Sequence, residues 1–274
     1  IIYSNVWNFK LALGKYYSDK DGLSNLKKAI KYDPTNATYY YKLSTIHYKN
    51  ALKDKVKKDE LEKAYFYCKK AIALNPTNSR HLDKFAWISS FHDKFNQKFQ
   101  FEEIAPIFEE AISFEPNNAY RYRNYGIWLF KHPNKNNINK AMEMYNKAIL
   151  LKPSFVVEAI KHYLPYRKKR SFKSIVNIFP KSNLCDVYIF RMFFDNKNLS
   201  FLINFAKKFL RSYPTNAEIH FLIADRSFYL KEYNWDFTKI KYNKTFELAP
   251  YNGFYRMWYG IHLLYRKDYT NAQK

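Results

Sequence analysis

The chain has 274 residues, 47% hydrophobic and 26% charged, with 47 Lys and Arg against 24 Asp and Glu, a net charge of +23. Those proportions exclude a disordered chain and fit a folded domain or repeat protein. Glycine occurs five times, where average usage would give roughly 19. No two of Gly14, Gly22, Gly126, Gly253 and Gly260 are two or five residues apart, which excludes GxGxxG and GxxxxGK phosphate loops.

In chain order, Pro34, Pro76, Pro116, Pro153, Pro180, Pro214 and Pro250 lie 42, 40, 37, 27, 34 and 36 residues apart. Before the first four stands the same word: Ala29-Ile30, Ala71-Ile72, Ala111-Ile112 and Ala148-Ile149, alanine always five residues ahead of proline. After five of the seven prolines comes asparagine, at Asn36, Asn78, Asn118, Asn216 and Asn252, and then a small residue. Self-similarity at this period marks a solenoid. Proline ends the helix before it, and asparagine caps the next by accepting from an orphan N–H. The segment Leu61, Ala64, Tyr65, Cys68, Ala71, Ile72 is apolar at helical spacing. Alanines seven apart, Ala64 with Ala71 and Ala141 with Ala148, share a face and admit a neighbouring helix closely. The pattern predicts paired antiparallel helices.

On these residues the chain resembles the tetratricopeptide repeat family. The fourth unit matches best, with Tyr122, Tyr125-Gly126, Ala141, Tyr145, Ala148 and Pro153. The second offers Tyr40, Leu43-Ser44, Ala64, Cys68 and Ala71; the third Leu82, Phe85-Ala86, Phe108 and Ala111, with Ile104 where alanine is usual. The resemblance implies a right-handed all-α solenoid of about seven and a half units, the eighth starting at Tyr259-Gly260 and reaching Ala272. Units two and three carry extra residues near Lys53–Asp59 and Asp93–Phe101. The fifth is short, lacks both alanines and contains Pro165, which interrupts its first helix. Units six and seven replace alanine with Phe201, Phe205, Phe209 and Thr245. The expected organisation is a regular array over 1–153, a short degenerate unit and joint over 154–182, and a degenerate array over 183–274.

Catalytic patterns are missing from the sequence. There is no HExxH, paired CxxC or GxSxG, the seven histidines form no i,i+4 pair, and Cys68 and Cys185 stand 117 residues apart. A non-catalytic segment without cofactor or metal is expected. No apolar run approaches the ~18 residues of a membrane span. The chain starts Ile1-Ile2-Tyr3, as a piece of something longer would, and its compartment stays open.

Lys outnumbers Arg 37 to 10, beside 26 Tyr and 24 Phe, a bias that an AT-rich genome produces by itself. The distribution of charge is more informative. From Glu102 to Glu115 there are five glutamates and no Lys or Arg; from 116 to 185 there are fourteen Lys and Arg against Glu143 and Glu158. The densest run is Arg167-Lys168-Lys169-Arg170. Such a region reads as a solvated helix end or as a surface for an acidic protein, anionic glycan or lipid headgroup.

In the tetratricopeptide family the first helix of each unit lines a concave groove. By resemblance that face holds Tyr41, Tyr48 and Lys49; Arg80, Asp83 and Trp87; Tyr120, Arg123, Ile127, Phe130 and Lys131; and Arg167 and Lys168. Aromatic rings beside cations suit an extended peptide or a sugar chain. The carboxylate clamp of chaperone-binding members is approached here by Arg123-Asn124. The implied function is a scaffold for a protein or peptide partner. A second resemblance, carried by Tyr120–His132 and Ile138-Asn139-Lys140-Ala141, is to the tails of bacterial membrane glycan polymerases and O-antigen ligases. It would place the chain outside the cytoplasmic membrane. Net charge and aromatic richness also fit nucleic acid, but no RNA-binding signature accompanies them. The incomplete eighth unit, with Met257, Trp258, Ile261, Leu264 and Tyr265, implies self-association through an uncapped end or further chain beyond it.

Overall fold

Every Pro-x-Asn word is a helix start. In the computed structural model, Asn36 Oδ1 accepts from the Thr38 amide at 3.1 Å, Asn78 from Arg80 at 3.1 Å, and Asn118 from Tyr120 at 3.0 Å. Further along, Asn216 accepts from Ile219 at 2.9 Å and Asn252 from Phe254 at 3.1 Å. Residues 2–20, 22–53, 57–96, 101–166, 178–193, 199–229 and 233–272 are described, and among them there is no strand. They divide into two units, Ile1–Leu151 and Lys152–Lys274.

Unit 1 consists of α1 (Ile2–Asp19), α2 (Leu23–Tyr32), α3 (Ala37–Ala51), α4 (Lys58–Leu74), α5 (Ser79–Asn96), α6 (Phe101–Phe114), α7 (Ala119–Lys131) and α8 (Lys135–Leu151). Consecutive helices pack in pairs, α1 on α2, α3 on α4, α5 on α6 and α7 on α8, and α4 packs in turn on α5. The alanines carry this stacking. Ala29, Ala64, Ala71, Ala111, Ala141 and Ala148 are all buried, and Ile104 fills the alanine place of the third unit. Small residues let backbones approach: Ser44 Oγ donates to the Ala64 carbonyl at 2.7 Å. A Cβ on Gly126 would stand 2.8 Å from the Tyr145 ring. The extra residues of the third unit lengthen α5 to Asn96; 54–56 and 97–100 lie outside the described residues.

Unit 2 begins with a 3-10 turn at Pro153–Phe155 and α9 (Val156–Tyr163), followed by a second 3-10 turn, Leu164–Tyr166. Pro165 lies in that turn, so the helix stops where the sequence predicts an interruption. Then come α10 (Asn183–Phe193), α11 (Leu199–Ser212), α12 (Ala217–Tyr229), α13 (Trp235–Leu248), α14 (Gly253–Tyr265) and the short α15 (Tyr269–Ala272). Helices α12 and α13 pair closely. At the positions where alanine is lost, Phe209 and Thr245 are buried, while the side chains of Phe201 and Phe205 lie outside the described ones. Buried hydroxyls help join the α12–α13 pair, with Ser227 Oγ and Thr238 Oγ1 2.8 Å apart. Phe254, Met257, Leu264 and Tyr265 of α14 are exposed. No described helix is long and apolar enough to cross a membrane.

Candidate partner-binding strip on the first helices of unit 1

Helices α3, α5 and α7 are the first helices of units two to four, and between them rings and ammonium groups alternate. Lys84 Nζ lies 5.1 Å from the centre of the Tyr48 ring. Tyr48 meets Phe91 edge-on at 5.8 Å. Lys131 Nζ lies 5.5 Å from Phe91 and 4.6 Å from Trp87. The backs of Tyr48 and Phe91 pack on the core formed by Ala51, Leu61, Ala64, Cys68 and Ile88, which fixes the rings. Among the described residues neither ammonium is in an ion pair. Burial pulls the Lys84 pKa down, against the pull of Asp83, and nearby Lys49 adds to the fall; burial lowers Lys131 as well. Lys84 is half-buried and Lys131 exposed, and both ammonium groups, held against aromatic faces, favour an incoming anion, because such contacts gain strength as water leaves on binding.

Beside the strip lies a buried polar network. Arg121 Nη1 reaches Asp83 Oδ2 at 3.2 Å, and its Nε reaches Ser79 Oγ and Glu115 Oε2, each at 3.1 Å. Asn124 Nδ2 donates to Asp83 Oδ2 at 2.7 Å, while Asn124 Oδ1 accepts from Arg123 at 3.0 Å. Burial drives the Asp83 carboxyl up to about 6, against the pull of Arg121, and its Oδ1 has no hydrogen-bond partner. Asp83 therefore ties α5 to α7. Both polar ends of Asn124 are already engaged, so the Arg123-Asn124 pair is not a vacant carboxylate clamp.

The expected groove residues divide accordingly. Tyr48, Trp87 and Lys131 come together in the strip, with Lys49 exposed at its edge. Tyr41 stacks on His81 at 5.0 Å and borders a separate cavity of about 200 Å³. Arg80 and Tyr120 are exposed at helix starts, Arg123 and Ile127 are half-buried, and Asp83 is 7% exposed. Phe130 is a correction. It is 4% exposed and lies against Tyr145 at 5.8 Å, so its ring fills the α7–α8 interface. Arg167 and Lys168, with Lys169 and Arg170, lie outside the described residues. Sequence reading missed Lys84 and Phe91, although both fall on the turn-by-turn stripe Arg80, Lys84, Trp87, Phe91.

Charge is segregated between the two kinds of helix. Helices α3, α5 and α7 carry eight Lys and Arg against Asp83 and Asp93, a net of +6. Helices α4, α6 and α8 carry seven against eight acids, a net of −1. Elsewhere the titratable groups point to structure. Burial pushes the thiols of Cys68 and Cys185 up to about 12, where neither is a nucleophile near neutral pH. Among the described residues no three of His, Cys, Asp and Glu are grouped as metal ligands.

A protein-family model described as RMD1-3, Regulator of microtubule dynamics protein 1-3, matches residues 9–174, more than half of the chain. The chain belongs to this family. No curated protein sequence matches it. Several solved structures are similar. PilF of Pseudomonas aeruginosa shares 16% identity over 79% of this chain and 96% of its own, with a TM-score of 0.45. MamA shares 23% identity over 53% and 78%, with a TM-score of 0.40. YrrB, described as a TPR protein with an unusual peptide-binding site, shares 14% identity over 89% and 97%, with a TM-score of 0.30.

Proposed function

We propose that this member of the family of regulators of microtubule dynamics is a non-catalytic scaffold that holds an extended acidic segment of a protein partner along α3, α5 and α7. The observation that carries the reading is the strip of Tyr48, Lys84, Phe91, Lys131 and Trp87, on helices whose charge is +6 while their partner helices are near neutral. Rings held by the core supply flat contact area at little entropic cost. Lysines laid across them supply charge, and among the described residues neither ammonium is in an ion pair. A partner with acidic residues between apolar ones would meet both. The family shown is a different one from the membrane glycan polymerases whose tails the Tyr120–His132 stretch resembles.

The family's description makes microtubules the first partner to test. Co-sedimentation across salt concentrations should show binding that weakens steeply as salt rises, since the contacts are largely charge-assisted. Lys84→Gln with Lys131→Gln should weaken it about tenfold, the loss of two ring-backed ammonium contacts. Lys69→Gln with Lys70→Gln removes the same charge from exposed positions on α4 and should change it little. Equal loss in both double variants would reduce the effect to net charge, and a titration with RNA would then show whether any polyanion suffices.

A further inference from the structure

Charge is segregated in unit 2 as well, but in the reverse sense. Its first helices, α10, α12 and α14, carry three arginines against three acids, a net of zero. Much of that charge is matched internally. Arg191 pairs with Glu218, and Arg226 Nε stands 3.6 Å from Asp225 Oδ2. The other Asp225 oxygen faces the buried His262 Nε2 at 3.4 Å, and His262 lies 2.9 Å from the Tyr242 hydroxyl. The second helices α11 and α13 carry six Lys and Arg against Asp236 and Glu247, a net of +4. In unit 1 the excess lies on the first helices, so an anion drawn to unit 2 would meet the other member of each helix pair.

Two lysines of these second helices converge on one ring. Lys207 Nζ of α11 stands 5.0 Å from the centre of the Phe237 ring and 4.8 Å from that of Tyr233, whose hydroxyl it reaches at 3.4 Å. Lys241, one turn along α13 from Phe237, places its Nζ 5.7 Å from the same Phe237 ring. The Tyr233 and Phe237 rings lie 4.8 Å apart, and all four side chains are half-buried. Among the described residues neither ammonium is in an ion pair. Of the α13 carboxylates, Glu247 takes Lys244 at 2.5 Å and Asp236 is exposed. Burial, and then the charge of Lys207, pulls the Lys241 pKa down, so the two ammonium groups repel each other across the ring they share.

The charge of the ligand follows from this pairing. Ring faces hold both lysines before anything binds, which lowers the ordering cost of binding. A carboxylate would neutralise one ammonium and leave the other uncompensated. A phosphate monoester near neutral pH carries close to two charges and three acceptor oxygens, enough for both. Ammonium groups act on it as point charges, without the planar fork that selects carboxylates. We propose that α11 and α13 bind a dianionic phosphoryl group between Lys207 and Lys241. The exposed Lys208 and Lys239 of the same helices add to the field that draws an anion in. The site lies beyond residues 9–174, which carry the family match, and it does not rest on the strip of unit 1.

The test uses the full chain and site-resolved amide NMR, read on α13 over residues 237–241, at about pH 8, where phosphate monoesters are dianions. Phenyl phosphate should shift these amides saturably. Phenyl sulfate, of the same shape but with one charge, should bind at least about fivefold more weakly. In Lys207→Gln the phenyl phosphate affinity read on α13 should fall at least about fivefold, although the substitution lies on α11. In Lys208→Gln, its exposed neighbour, it should change less than about twofold. Two further probes separate the sources of the group. Tighter binding of N-acetyl-phosphoserine amide than of inorganic phosphate assigns the site to a phosphorylated side chain, and the reverse or equality to the free ion; each supports a phosphoryl site. No saturable shift on α13, or equal binding of phenyl sulfate, overturns the proposal on the unmodified chain, whether or not a variant folds. Equal affinity in folded Lys207→Gln and Lys208→Gln chains overturns it as well, leaving net charge alone. Lys84→Gln with Lys131→Gln should leave the α13 shifts unchanged, so this site and the strip of unit 1 fail separately.

Discussion

Ala148 shows how little room the stacked helices leave. Its side chain is fully buried, and the ring of Tyr145 one turn earlier abuts Gly126 of α7 so closely that a single added carbon would stand 2.8 Å from it. Ala148→Phe should therefore destabilise unit 1 by roughly 1–3 kcal/mol through overpacking, read as a lowered urea midpoint with an unchanged slope. Gly126→Ala should act in the same direction, because the tyrosine ring is the part that must move. An unchanged midpoint in both would mean that α7 and α8 do not pack as described. These positions were legible in the sequence because they obey a local rule: alanine before proline, glycine after an aromatic residue. Lys84 was not legible as a site residue, since its role depends on Tyr48, 36 residues earlier in the chain. Phe130 was misplaced for a related reason. Successive helix residues point 100° apart, and at this pair the apolar ring turns to Tyr145 while Lys131 lies on Trp87.

At the scale of the helix, the caps were the most readable feature, because a cap involves residues only two or three apart. Asn118 does more than cap α7, since its Nδ2 also donates to Glu115 Oε2 at 2.7 Å. Asn118→Ala should cost about 1–2 kcal/mol, and Asn118→Asp should recover the cap but set a carboxylate against Glu115. Comparing the two by thermal unfolding separates the cap from the side-chain pair. The caps Asn134 and Asn234, which start α8 and α13, were not foreseen because neither belongs to a Pro-x-Asn word; Pro133 adjoins Asn134 directly. Helix α14 makes a different prediction. Its exposed Phe254, Met257, Leu264 and Tyr265 form more apolar surface than one solvated helix normally carries. The chain should associate with itself at high concentration, and Met257→Glu with Leu264→Glu should reduce that association in sedimentation velocity. A wild-type chain that stays monomeric throughout would count against it.

Over the whole molecule, acid should weaken the two units over different pH ranges, because lowered carboxylates act in one and a lowered histidine in the other. In unit 1 the hydrogen bond from His47 holds Glu60 down to about 2 against burial, and the contact with Lys140 lowers Glu109. Carboxylates of this kind add stability above the usual carboxylate range and lose it as pH falls toward their folded values. Asp83, raised to about 6 by burial, opposes them, since its folded form takes up a proton first and gains stability as pH falls through 6. Unit 2 is governed by a histidine. Burial forces His262 down to about 4, while the unfolded chain protonates it near 6.5. The unfolded state therefore binds more protons between those values, and the stability that His262 contributes is complete above pH 6.5 and drains away as pH falls to 4. Asp186, Glu218 and Asp225, all raised by burial, offset part of that loss, so the comparison needs a variant and not a single curve. Urea unfolding at several pH values, scored for α12–α14 by pulsed hydrogen exchange, should give wild type a steeper fall than His262→Gln. The difference in slope should approach ~1.4 kcal/mol per pH unit. Parallel curves would mean that His262 takes up its proton without cost, and that the Tyr242–His262–Asp225 arrangement is not buried as described.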